Sequence, residues 1–468
     1  MYSPLLWFSL LATYLNAQSP VDGVWYAVLR AGDQEIPLNV ELIAADEGWA
    51  GGLLSPTQSP NRIPFTTVAV TEDSLSFSIA PLQITFTGKL TEARIDGRFQ
   101  QGGFGTELVF TRDRPAGYPT VTGEASGARP QEPTDFPYAN HEVTFPGGAS
   151  GVEIAGTLTL PAAGPPRALL LLVAGSGPQD RNEDLGPPIN HRPFLVLSDY
   201  LTRRGYGVLR YDKRGVAEST GDYARSTTRD FADDAAAALA FLRGMPDIGK
   251  LPTGILGHSE GGIVGPMIAA ESADVDFLIL LAAPGLAIDS LMLEQRRAIT
   301  GTVLPDEPVL SLAYTFTKEN GQLDSAAFAE GLRRAVVNAL PELPESLRRS
   351  ITDPETFAKA YVDALSPPWM RYFFTINPAS YLRQVTVPVL AVNGTLDRQV
   401  DPANLAAIAA ALRGAGNRDV AVQLLPGLNH LLQPATTGLP AEYGSIETTI
   451  APEALDLIGQ WLDERFGR

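Results

Sequence analysis

Short runs that alternate apolar and polar residues fill the first quarter of the chain, as at residues 74–79 (SLSFSI) and 82–86 (LQITF), with Gly and Pro turn signals between them. Alternation with period 2 puts every second side chain on one face of a strand, so residues 18–112 are expected to form a small all-β domain. The run ELVFT at 107–111 then gives way to residues 113–138, rich in Pro, Gly, Ser, Ala and Thr and without any period, which read as a linker.

From residue 139 to 468 the pattern is different. Apolar runs alternate with stretches of helical period, which predicts an α/β fold: a mostly parallel sheet covered by helices on both faces. Two starting strands, 141–145 and 152–160, precede the run ALLLLVA at 168–174, whose unbroken hydrophobicity suits a strand buried on both faces. Helix 194–204, strand 207–211, helix 229–242, strand 253–257, helix 262–271 and strand 277–282 follow. Residues 286–382 carry helical periodicity with no convincing strand and read as a helical cap inserted before the sheet resumes at 387–392. Strand 420–425 and the amphipathic helix 452–465 close the domain.

Composition narrows the function. A formal net charge of −18 repels phosphate backbones, so no nucleic-acid partner is expected. The absence of cysteine removes thiol nucleophiles, thiolate metal sites and disulfides together. The 4 histidines show no metal-ligand spacing, so neither a metal nor a cofactor is expected. The apolar run LLWFSLLATYL at 5–15, followed by Asn16-Ala17-Gln18, reads as a signal peptide over residues 1–17 and predicts export to the periplasm or medium. No segment of the mature chain is long and apolar enough to span a bilayer.

The chemistry centres on Gly257-His258-Ser259-Glu260-Gly261, which lies between an apolar strand and a small-residue helix. A sharp strand-to-helix turn strains the backbone at the serine and leaves no room for side chains two positions either side, a need that Gly257 and Gly261 meet. Such a serine needs a base and a carboxylate to orient it. Of the histidines, His258 adjoins the serine and is expected to point away from it, His141 lies in the first strand and His191 in a polar loop. His430, in the loop just past the last strand, is the candidate base. Asp397 follows strand 387–392 in the required order Ser, Asp, His, whereas Asp401, before Pro402, reads as a helix N-cap. The turn Gly175-Ser176-Gly177-Pro178 is read as an oxyanion hole, the backbone N–H of Ser176 acting with that of Glu260. A tight turn without catalytic part is the other reading. A dinucleotide loop would need a third glycine where Asp180 stands and a helix where Pro187-Pro188 follow. The charged cluster in LRYDKRG (209–215) reads as an ion-pair brace for its loop.

The elbow, with AGSGPQDRNEDLG, LRYDKRGVAEST, NGTLDRQVDP and PGLNH in that order and spacing, resembles the α/β-hydrolase superfamily and within it the exported bacterial carboxylesterases related to serine aminopeptidase-like hydrolases. The likeness covers residues 140–468. It implies a small-molecule ester substrate, hydrolysis of short acyl esters through an acyl-enzyme, and a triad of Ser259, Asp397 and His430. Lys213 stands where relatives vary, and no role is carried over to it. A peptidase using the same triad is the first alternative, and it would need carboxylates facing the site, for which the cap offers Glu294, Asp306, Glu307 and Glu319. The second alternative is a non-catalytic binding module. Serine at the elbow disfavours haloalkane chemistry, which needs Asp there, and thioester-linked transfer, which favours Cys.

Overall fold

The computed structural model describes residues 21–467 apart from 32–33, 46–47, 57–61, 72, 80–83, 92, 102–103, 116–117, 119–128, 187–188 and 352. The expected signal peptide therefore lies outside the described residues.

The alternating runs form nine strands, β1 (Gly23–Ala31), β2 (Gln34–Ala45), β3 (Gly48–Leu54), β4 (Ile63–Pro64), β5 (Thr67–Val70), β6 (Ser74–Ile79), β7 (Ile84–Leu90), β8 (Arg94–Gln101) and β9 (Phe104–Thr111). They make one sheet in the order β4-β3-β2-β1-β9-β8-β7-β6-β5 with antiparallel pairing throughout. Its inner face buries Trp25, Phe77, Phe86, Phe99 and Phe110, while the intervening residues face out. At two positions the alternation is visible residue by residue: β6 and β7 switch strictly between buried and less buried side chains.

The linker's trailing part does not run free. The buried Arg129 donates to the carbonyls of Gly444, at 2.8 Å, and Ile189, Gln131 donates to Ile450 O at 2.8 Å, and Glu132 pairs with Arg192 at 3.0 Å. Lack of sequence period marks the absence of regular structure, not of contacts.

The second sheet has eight strands in the order β10-β11-β13-β12-β14-β15-β16-β17. These are β10 (Ala139–Pro146), β11 (Glu153–Leu160), β12 (Leu169–Val173), β13 (Gly207–Tyr211), β14 (Thr253–His258), β15 (Phe277–Leu281), β16 (Val389–Gly394) and β17 (Val420–Leu425). The first two strands join antiparallel, and every pair from β13 onward is parallel. β12 and β15 are apolar along their whole length because both faces are covered. On one face, α1 (Pro193–Arg203) and α12 (Pro452–Phe466) bury Phe194, Leu201, Ile458 and Trp461. On the other lie α2 (Thr228–Arg243), α3 (Gly261–Glu271) and α11 (Ala403–Gly414). Between β15 and β16 the chain makes the cap: α4 (Ile288–Thr300), α5 (Glu307–Asn320), α6 (Ser325–Ala339), α7 (Glu345–Ser350), α8 (Pro354–Leu365), α9 (Pro368–Thr375) and α10 (Pro378–Leu382). Leu291, Phe373 and Phe374 of the cap share one hydrophobic core with Ile263 and Leu280 beneath it. This is the α/β-hydrolase arrangement, preceded by an all-β unit. Among the described residues no helix is long and apolar enough to cross a membrane.

Candidate active site

Parallel strands bring their C-terminal ends to one edge of the sheet, and the loops leaving β12, β14, β16 and β17 converge there. The turn from β14 into α3 holds Ser259 at a φ of 51°, in the left-handed region that a non-glycine residue enters only under constraint. Its amide donates to Leu281 O at 2.9 Å, and its carbonyl accepts from Gly262 N at 2.8 Å. The flanking glycines are required by contact: a Cβ on Gly257 would stand 2.1 Å from Gly261 O, and one on Gly261 would stand 2.0 Å from Val173 O. The turn thus presses the first residues of α3 against β12 and leaves the serine hydroxyl at the N-terminus of a helix. Free N–H groups there favour negative charge.

His430 is buried in the loop after β17. Asn429 shapes that loop by accepting from the amides of Leu431, at 3.0 Å, and Gln433, at 2.9 Å. The His430 Nδ1–H donates to Asp397 Oδ2 at 2.8 Å, and Asp397 Oδ1 accepts from the amides of Gln399 and Val400, both at 2.8 Å. The carboxylate plane is therefore fixed from two sides. Asp401 instead accepts from Ala403 N at 2.8 Å, at the start of α11.

Ser259, His430, Ser176 and Glu260 line one cavity of about 360 Å³, with Asp397 buried behind His430. Leu185, Ile189, Leu291, Met292, Trp369 and Phe373 make its walls mostly apolar, and Gln179, Gln295 and Gln399 add neutral polar groups. Neither the Ser176 amide nor the Glu260 amide donates to an acceptor among the described residues. Among the described residues of the loop after β12 there is no helix before α1 begins at Pro193, whereas a dinucleotide site needs a helix opened by the glycine turn itself. Among the described residues no group of three or more His, Cys, Asp or Glu is placed to hold a metal ion.

The structure also brings in residues that sequence reasoning left aside. His258 Nδ1 meets Glu183 Oε1 at 2.8 Å and its Nε2 meets His430 O at 3.1 Å, so the ring joins the elbow to the loop that carries His430. Burial alone would lower the His258 pKa, but the charge of Glu183, the hydrogen bond to it and the His430 carbonyl leave it raised. Lys213 is buried between Gly175 O, at 2.7 Å, and Glu260 Oε2, at 3.1 Å. Its neighbours in LRYDKRG are paired as well, Asp212 with Arg181 at 2.6 Å and Arg214 with Asp234 at 2.5 Å. The available signal was a dense set of charges beside buried strands, which marks pairing without naming partners. His141 is exposed on β10, and His191 is buried away from the cavity against Thr449.

A family model described as serine aminopeptidase, S33, matches residues 193–434, just over half of the chain. Esterase EstD of Thermotoga maritima is 26% identical over 316 residues, a match that spans 66% of this chain and 65% of that protein's length. A Pyrococcus furiosus esterase structure matches 74% of this chain and 100% of its own at a TM-score of 0.43 and 14% identity. A proline iminopeptidase from Mycobacterium smegmatis matches 69% and 98% at a TM-score of 0.39 and 18% identity.

Proposed function

The chain belongs to the serine aminopeptidase S33 family of hydrolases, and on that premise we propose that it is a carboxylesterase-type serine hydrolase acting on short acyl esters. The observation that carries this reading is a serine held at positive φ in the same cavity as an imidazole whose Nδ1 is fixed by a buried carboxylate. With its Nδ1 proton given to Asp397, His430 keeps Nε2 free to accept the Ser259 hydroxyl proton as Oγ attacks the acyl carbon. The amides of Ser176 and Glu260 receive the oxyanion. Collapse expels the alcohol, which takes the proton from His430, and water then attacks the acyl-enzyme by the reverse path.

Two features favour ester over amino-terminal peptide. A cavity of about 360 Å³ with mostly apolar walls suits a small acyl group. None of the four cap carboxylates considered for binding an amino terminus lines it, and Asp306 and Glu307 are paired with Arg296 and Arg297. Glu183 and Glu260 do line the cavity, but each is already committed to a buried cation.

The test is an assay of the protein and its Ser259→Ala variant on short and long p-nitrophenyl esters and on an aminoacyl p-nitroanilide. Short-ester turnover reduced at least ~10⁴-fold in the variant is expected. Preference for the anilide points to the peptidase, no turnover by the wild type on any substrate to the binding module, and wild-type turnover in the variant removes Ser259 as nucleophile.

A further inference from the structure

The two neighbours of Ser259 in sequence, His258 and Glu260, each belong to a buried pair, and the partner in each pair holds the same residue, Gly175. Glu183, paired with His258, accepts from Gly175 N–H at 2.7 Å. Lys213, paired with Glu260, donates to Gly175 O at 2.7 Å. Glu260 Oε1 accepts from Thr228 Oγ1, at 2.7 Å, and Trp369 Nε1, at 2.6 Å, while Oε2 accepts from Lys213, so the lysine joins that carboxylate to the Gly175 carbonyl.

A lysine with a side chain only 5% exposed is expensive to desolvate, and a neutral residue of the same length would fold with less opposition. The geometry offers a reason for it. The carbonyl of Gly175 and the N–H of Ser176 are the two ends of one peptide plane, which does not twist about its C–N bond. A cation held on the carbonyl fixes the direction of the amide at the other end. It also draws electron density from the amide nitrogen and makes the N–H a stronger donor, as hydrogen bonds in series do. Since Ser176 lines the cavity with Ser259 and its amide donates to no acceptor among the described residues, that polarisation acts where negative charge would develop on the proposed reading.

We propose that Lys213 is a positioning residue for ester hydrolysis, which orients and polarises the Gly175–Ser176 peptide so that the Ser176 amide can bind the oxyanion. This rests on the reading of Ser259 and Ser176 given above. The effect belongs to the transition state, because a ground-state carbonyl asks less of the donor than an oxyanion does. It therefore falls on kcat and leaves KM nearly alone.

The experiment compares the full chain with Lys213→Met and Lys213→Met/Glu260→Gln on a short p-nitrophenyl ester, with phenylboronic acid as a probe whose tetrahedral serine adduct places an anionic oxygen among the donors. Lys213→Met is expected to lower kcat about 10- to 100-fold, part of the loss seen when a whole oxyanion donor is deleted, with KM within about threefold. Affinity for phenylboronic acid should fall by a similar factor. The double variant, which no longer buries a lone carboxylate, should recover thermal stability without recovering kcat. Recovery of wild-type kcat in the double variant would mean that Lys213 only compensates charge, and it overturns the proposal, as does a folded Lys213→Met with unchanged kcat. If Lys213→Met does not fold, the double variant decides alone. Absence of Ser259-dependent ester turnover in the wild type would bring down the reading of the site itself, and the proposal with it, whereas Ser259-dependent turnover indifferent to Lys213 brings down the proposal only.

Discussion

Two buried histidines, His258 beside the elbow and His191 away from the cavity, have their pKa values moved in opposite directions. His258 faces only acceptors, the Glu183 carboxylate and the His430 carbonyl, and a ring that satisfies both carries both protons. Its raised pKa adds stability that is present below the unfolded value of about 6.5 and lost as pH rises through the folded one. His191 places Nε2 against the carbonyls of Tyr443 and Ile446 and Nδ1 against the Thr449 hydroxyl, which suits a neutral ring. Burial, with Arg129 nearby, pushes its pKa down to about 4. Here stability is complete above the unfolded value and is lost as pH falls toward 4, by roughly 3 kcal/mol at most. Denaturant titrations from pH 7 to pH 4 should show a shallower loss for His191→Gln than for the wild type, and equal slopes would reject this account. That Ser259, Asp397 and His430 would meet at one sheet edge was legible in the sequence, because each follows the end of an apolar strand. The pairings of Glu183 and Lys213 were not: their partners lie 75 residues away at His258 and 47 away at Glu260, and neither sits on a periodic element that announces a facing side chain.

At the scale of elements, the elbow is a contact between α3 and β12 as much as a turn. Gly261→Ala would push a methyl group into Val173 O, whereas a Cβ on Gly265, in the same helix, meets its nearest neighbours, Ile255 and Leu278, at 3.4 Å. Gly261→Ala is expected to cost about 2 kcal/mol or more and most of the activity, as overpacking against backbone does. Gly265→Ala should be neutral or gain up to ~1 kcal/mol from helix propensity. Melting curves and ester turnover of the two variants check the contrast, which fails if they behave alike. The expected strand 387–392 begins instead at Val389, because Pro388 has no N–H to give to a ladder and contributes only its carbonyl, to Leu278 N at 2.9 Å. The start of α11 was readable from Asp401-Pro402. Which of the seven cap helices would face the cavity was not, since periodicity gives each helix an apolar stripe but not the partner it meets. Trp369 reaches the elbow through Glu260, a choice made by tertiary packing.

Across the whole molecule, the division into an alternating first part and a βα-patterned second part was plain in the sequence, while the docking of residues 129–132 onto the second was hidden by a composition that reads as linker. The order of the second sheet, β12-β14-β15-β16-β17, places the strand that leads to Ser259 centrally and the strand that leads to His430 at the edge, with the cap inserted between them in sequence. The ring of His258 thus meets the carbonyl of a residue 172 positions later. Contacts so distant along the chain form late, after local helices are made. On refolding from urea, far-UV ellipticity should recover before ester turnover, and simultaneous recovery would contradict this order. During synthesis the same arrangement sets an order: on the proposed reading a nascent chain carries Ser259 long before residue 430 is made, and the site cannot close until the loop after β17 has left the ribosome.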